Sequence, residues 1–126
     1  MTDSFKFAAI GIEHRHIFGM SRNLMDAGAT PVGWWNEGHP ETEGMMQKYM
    51  PDLPRVEDRR TFLDDPEIEM ILIADIPSRR ADLAIEAMEA GKDVMVDKPG
   101  CTTLEQLDRI RECQARTDRI WSVNFS

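Results

Sequence analysis

Asp97, Lys98 and Pro99 follow a short apolar segment, Asp93 to Val96, which itself follows a helix stop at Gly91. That order places a carboxylate and an ammonium group at the carboxyl end of a strand. Open α/β sheets keep their ligand sites there. Proline cannot donate to a ladder and fixes its own φ, so Pro99 ends the strand and holds Lys98 at the rim.

A second group of polar residues, Glu13-His14-Arg15-His16, follows Gly11-Ile12 near the start of the chain. Three potential metal ligands fall within four residues, and alternate positions on an extended turn can converge. No further His or Cys cluster completes a tetrahedral site, because His39 falls in a separate loop. The sequence therefore assigns no metal and leaves His14 and His16 as candidate bases. Cys101 and Cys113 fit no metal or redox spacing. Cys113 falls in a helical pattern and reads as packing, and Cys101 reads as a small residue in the turn after Lys98-Pro99-Gly100.

These residues need elements to hold them. Phe5 to Ile12 reads as a buried first strand. Ile17 to Ala27 has helical spacing through Ile17, Met20, Leu24 and Ala27, with Gly28 as the stop. Thr30 to Trp35 reads as a second strand, and Pro40 to Tyr49 as a helix with acids in its first turn. Pro51 and Pro54 break the chain, a short segment around Val56 reads as an edge strand, and Thr61 to Leu63 fits one helical turn. Glu69 to Ala74 is an apolar run typical of a strand covered on both faces. Arg79 to Ala90 carries an apolar stripe, with Ser78 as its expected N-cap. Thr102 and Glu105 are expected to form a capping box before a helix over Leu104 to Thr117. Ile120 to Phe125 reads as a last strand. Strand and helix alternate, which implies one α/β domain. Its expected form is a doubly wound parallel sheet, Rossmann-like, of about six strands with helices on both faces.

Composition narrows the function classes. The chain has 126 residues, of which 41% are hydrophobic and 30% charged, and its formal charge is −8. An acidic chain lacks the basic footprint that nucleic acid requires and has no electrostatic reason to bind an anionic membrane. No apolar run approaches the length of a membrane span, and Met1-Thr2-Asp3-Ser4 has no signal-peptide character. The expectation is a cytoplasmic protein with neither nucleic acid nor membrane as partner.

Taken together, these features resemble the N-terminal nucleotide-binding domain of the Gfo/Idh/MocA oxidoreductases. The resemblance runs from Phe7 to Ser126 and is strongest over Asp65 to Ala74, Ala84 to Gly100, and the last helix and strand. It implies binding of NAD or NADP, with hydride transfer to or from a sugar, inositol or related small molecule. Asp97-Lys98-Pro99 matches the family's Glu-Lys-Pro motif with Asp for Glu. The match implies that Lys98 is the catalytic residue, lying beside the nicotinamide, where its charge stabilises a developing alkoxide or lowers a hydroxyl pKa.

The other carried-over positions depart from the family pattern. In Gly11-Ile12-Glu13-His14-Arg15-His16 only the first glycine of Gly-x-Gly-x-x-Gly remains. Glu13 brings a negative charge toward the phosphate position, and Arg15 offsets it, since a guanidinium suits phosphate. The helix N-terminus itself favours an anion by about 0.3–1 kcal/mol per charge. Gly11, Glu13, His14 and Arg15 thus form the phosphate-side turn. Asn36, followed by Glu37, stands where the family places an acid for the adenosine ribose, and its amide can bond a hydroxyl without repelling a 2′-phosphate. A turn residue is an equal reading of Asn36, and the choice between NAD and NADP stays open. Asp75 and Pro77 take the place of the family's cofactor-side loop after the fourth strand. Of Trp34 and Trp35, only one can face the helix layer beside the site.

The family's strand handing over to a substrate and oligomerisation domain matches Val123-Asn124-Phe125-Ser126, so that second domain is expected to lie outside this sequence. Surface that it would cover favours association, and a homodimer or higher oligomer is expected. A different class of reading is a non-catalytic Rossmann-like module for ligand sensing or protein association. Glu13, His16 and Asn36 favour the module, and Asp97-Lys98-Pro99 favours the oxidoreductase.

Overall fold

A computed structural model of the chain describes residues 5–125. The expectation drawn from Met1 to Ser4 lies outside them. Five parallel strands form one sheet: β1 (Lys6–Ile10), β2 (Thr30–Trp35), β3 (Ile68–Ile73), β4 (Asp93–Asp97) and β5 (Trp121–Asn124), in the order β2-β1-β3-β4-β5. The helices are α1 (His16–Asp26), α2 (Glu41–Tyr49), α3 (Arg60–Leu63), α4 (Arg80–Glu89) and α5 (Leu104–Thr117).

Alternation along the strands sends side chains into two separate cores. Phe7, Ala9, Trp34 and Leu72 pack with Ile17 and Met20 of α1 and Met46 of α2. Ala8, Ile10, Trp35, Ile71, Ile73, Val94 and Val96 pack with Phe62 and Leu63 of α3, five apolar residues of α4 that include Ala84 and Met88, and Ile110 and Cys113 of α5. The doubly wound α/β fold expected from the sequence is therefore present. Trp34 and Trp35 face opposite layers, as adjacent strand residues must. Cys113 is buried in the second core, and Cys101 packs against the same core.

Three local expectations differ. The edge strand expected at Val56 is a single bridge between Trp34 and Arg55. Trp34 N–H donates to Pro54 O at 3.0 Å and Val56 N–H to Trp34 O at 2.9 Å, but Pro54 has no N–H with which to extend a ladder. The capping box sits one residue later than expected. Thr103 is the N-cap, its hydroxyl accepts from Gln106 N–H at 3.0 Å, and the Gln106 side chain reaches back. Ser78 does not cap α4 with its side chain. It lies in a 3-10 turn, Pro77–Arg79, and its carbonyl accepts from Gln106 Nε2 at 3.2 Å.

The sheet order changes direction between β1 and β3. Chain leaving β1 crosses toward β2, and chain leaving β3 crosses toward β4. The carboxyl ends of such neighbouring strands open a crevice. His14 N–H bonded to Ala74 O at 2.9 Å and Ala74 N–H bonded to Gly11 O at 2.9 Å extend the β1–β3 seam to its lip.

Because the cap is made by Thr103, Thr103→Ala is expected to lower stability by about 1 kcal/mol. Thr102→Ala, which removes only one exposed hydroxyl contact to Gln106, is expected to cost less. Urea unfolding midpoints of the two variants, compared with the parent chain, check this order.

Candidate functional site

Gly11 ends β1 with φ +86°, a left-handed backbone conformation that suits glycine. A Cβ there would lie 2.4 Å from Asp75 Cβ and 2.5 Å from Asp75 Oδ2. Asp75, at the end of β3, is thus packed directly on the Gly11 backbone. Its Oδ1 accepts from Ile76 N–H at 2.7 Å, while Oδ2 is buried without a hydrogen-bond partner. Burial raises the Asp75 carboxyl above its usual range, and the Ile76 amide and Arg79 oppose that rise.

Beyond Gly11 the turn is held by its own amides. Gly11 N–H donates to Trp35 O at 2.8 Å, Ile12 N–H to Asn36 Oδ1 at 2.8 Å and His16 N–H to His14 Nδ1 at 3.1 Å. Thr42 on α2 donates its hydroxyl to Ile12 O. Asn36 is buried, and its Nδ2 donates to Glu13 Oε2 at 2.6 Å and to Gly38 O at 3.3 Å. The structure thus gives the Asn36 side chain a turn-holding role and turns Glu13 toward the second strand. Arg15 makes no contact with Glu13. It is exposed, lies outside every ion pair among the described residues, and lines a cavity of about 570 Å³ with Arg22, Phe18, Met45 and Tyr49.

The far side of the crevice is built by Arg80, which is 2% exposed. Its Nε donates to Asp75 O at 2.6 Å, and its Nη1 donates to Asp97 O at 2.9 Å and Pro99 O at 3.2 Å. Its Nη2 lies 3.5 Å from the buried carboxylate of Asp97. Burial lowers the guanidinium from its ordinary value, and Asp97 and Asp75 oppose that. Asp97 in turn meets two imidazoles from across the crevice: His16 Nδ1 at 3.0 Å and His14 Nδ1 at 3.6 Å. Burial and the neighbouring His16 lower the His14 pKa, with Asp97 opposing. Lys98 follows on the exposed side. Its N–H donates to Asn124 O at 3.2 Å, and its ammonium lies outside every ion pair among the described residues. The Lys98–Pro99 peptide bond is cis. Gly100 then packs so closely on Trp121 and Val123 that a Cβ there would lie 2.7 Å and 2.8 Å from them. Pro77 is exposed at the rim, where Arg79 bridges Glu37 at 2.6 Å.

The residues named from the sequence lie at the carboxyl ends of β1, β2, β3 and β4, and Arg79 and Arg80, which join these ends, were not among them. Arg79 and Arg80 looked like ordinary residues opening a helix. Asp97 was paired only with Lys98, although its side chain reaches the histidine turn.

A profile described as "Oxidoreductase family, NAD-binding Rossmann fold" matches residues 5–125. The chain belongs to the Gfo/Idh/MocA oxidoreductase family. It is 35% identical over 69 residues to scyllo-inositol 2-dehydrogenase (NAD(+)) of Bacillus subtilis, covering 55% of this chain and 20% of that one. Among solved structures, a candidate oxidoreductase from Erwinia carotovora atroseptica superposes with a TM-score of 0.91 at 36% identity, over 98% of this chain and 37% of that one. An NAD-binding protein from Listeria innocua superposes with a TM-score of 0.79 at 25% identity, over 97% of this chain and 35% of that one. The chain thus spans between one fifth and two fifths of the length of these relatives. No helix among the described residues is long and apolar enough to cross a membrane.

The donor set fits a dinucleotide of the kind this family binds. Arg15, the N-cap of α1, and Lys98, just beyond the end of β4, are both exposed and offer it two cations. Backbone amides contribute little, because the turn uses them itself.

The Asp75 proton has a consequence for stability. The folded state holds it more tightly than the unfolded chain, so the group favours folding below the ordinary carboxylate range. That contribution is lost as pH rises through its raised value. Asp75→Asn, neutral at every pH and still able to accept from Ile76, is expected to be the more stable protein at pH 7. The difference should vanish below about pH 4. Thermal melts of the two proteins across this range check it.

Proposed function

We propose that this chain is the nucleotide-binding half of an NAD(P)-dependent oxidoreductase acting on a sugar, an inositol or a related small polyhydroxy compound. The observation that carries the reading is Lys98, an exposed ammonium on a strand end whose preceding residue, Asp97, is locked in place by Arg80. A nicotinamide bound here would supply or accept the hydride. Lys98 would donate a hydrogen bond to the substrate oxygen and stabilise negative charge as it develops there. Arg15 would meet the phosphates, and Gly11 keeps the turn free of a side chain where Asp75 packs. Pro77 and Pro99 restrict the backbone at the two lips of the crevice. At the turn, burial and His16 lower the His14 pKa, with Asp97 opposing, which favours the neutral imidazole.

The reading of the chain as a non-catalytic module rests on one observation. Glu13 stands in the turn, and four of the turn's amides are bonded within the protein. Titration of the purified chain with NADH and NADPH, followed by tryptophan fluorescence, separates the two. Saturable binding of at least one nucleotide below millimolar concentration is expected. Binding of neither at millimolar concentration would exclude the cofactor reading. In the full-length enzyme Lys98→Ala is expected to lower kcat by at least about 100-fold with nucleotide affinity little changed; retained turnover would count against Lys98.

We also infer self-association through the β5 edge. Ile120 and Phe125, which flank that strand, are 62% and 78% exposed. Sedimentation velocity is expected to show a dimer or larger species that Phe125→Ser shifts toward monomer.

A further inference from the structure

We propose that His14, His16 and Asp97 form a binding site for a divalent first-row transition metal ion, of the zinc or ferrous class. This goes beyond the nucleotide reading and does not depend on it.

The three side chains come from two elements 81 residues apart in sequence, and their ligand atoms all lie within 4.8 Å of one another. With metal–ligand bonds of about 2.1 Å, donors at a right angle stand about 3.0 Å apart and donors at a tetrahedral angle about 3.4 Å. The observed separations are 3.0 Å from His16 Nδ1 to Asp97 Oδ1 and 3.6 Å from His14 Nδ1 to Asp97 Oδ2. With one ligand atom from each residue all within 4.8 Å, small side-chain rotations bring the three onto one ion. Two imidazoles and one carboxylate select a borderline ion over Mg²⁺ or Ca²⁺, which prefer all-oxygen surroundings.

The surroundings resemble a supported metal site. Ligating carboxylates are held by outer partners, and Arg80 holds Asp97 through its carbonyl and from the Oδ2 side, leaving Oδ1 toward His16. The bond from His16 N–H to His14 Nδ1 places the His14 proton on Nε2, so Nδ1 keeps the lone pair that an ion would take over. His14 is 45% and His16 33% exposed, so three protein ligands would leave coordination positions open to water or an anionic ligand. The Arg80 charge opposes a second cation, which makes the site exchangeable. A dication here would also bring positive charge to the turn where glycine amides no longer serve an anion.

The test uses Co²⁺ added to the EDTA-treated chain without nucleotide. Saturable visible d–d bands, displaced by Zn²⁺ and not by Mg²⁺, are expected. His14→Ala and His16→Ala, both at solvent-accessible positions, should each weaken Co²⁺ binding by at least tenfold with circular dichroism unchanged. His39→Ala, which removes the remaining histidine of the chain, should leave it unchanged. Absence of a saturable spectrum at millimolar Co²⁺, equal binding by the His14 and His16 variants and the parent, or loss on His39→Ala would each overturn the proposal. NADH binding is measured separately, so failure of the metal site leaves the nucleotide reading standing, and the reverse.

Discussion

The crevice depends on one buried cation. Arg80 is nearly inaccessible, yet it carries hydrogen bonds to the carbonyls of Asp75, Asp97 and Pro99 and faces the Asp97 carboxylate. A guanidinium is suited to this because its donors lie in a rigid plane and several acceptors can be met at once. The contact joins the ends of β3 and β4 to the chain beyond β4. An isolated buried charge would be very costly, and a partner removed from such a pair typically destabilises by about 3–5 kcal/mol. Arg80 is tolerated because every element it reaches offers an oxygen. The position of Lys98 follows from that arrangement, since its neighbour on each side is pinned by the same guanidinium.

The facing turn solves a different problem. A Gly-rich phosphate turn leaves its amides directed at a ligand, but here Asn36, Ala74, Trp35 and His14 accept them. Glu13 then completes the Asn36 amide instead of standing unpaired beside an anion. The turn is thereby held by its own hydrogen bonds, and Arg15 is left as its exposed cation. Asp75 sharpens the contrast. Its carboxylate fills the space against Gly11, so any side chain at position 11 would collide with it, and its burial favours the protonated form. The substitutions in this turn are mutually compensating rather than simple losses.

Much of the architecture was legible in sequence because apolar period and stop signals are local. β2 and α5 begin and end where their patterns say, and the two-faced burial of β3 follows from its unbroken apolar run. The errors were also local in cause. A capping box depends on the one residue that leaves the helical backbone, so Thr103 rather than Thr102 takes the role. Pro54 denies a ladder to the Val56 segment. The site was legible only in its strand ends. Asp97 and Lys98 were read together at the strand end, although adjacent strand residues point to opposite sides. That alternation alone implied that Asp97 faces in when Lys98 faces out. What it faces was not readable, because the partners are brought by the β1–β3–β4 order and not by spacing in the chain.

This alternation explains how one strand end serves two kinds of chemistry. Lys98 remains in solvent, outside every ion pair among the described residues. Asp97 is withdrawn, and a withdrawn carboxylate is stable only with donors around it. Arg80 supplies them from one side and His16 from the other, with His14 alongside. Arginine satisfies the carboxylate permanently, whereas an imidazole can yield its place to a proton or a metal ion. The histidine side is therefore the adjustable half of the cluster, and it lies on the turn that follows β1.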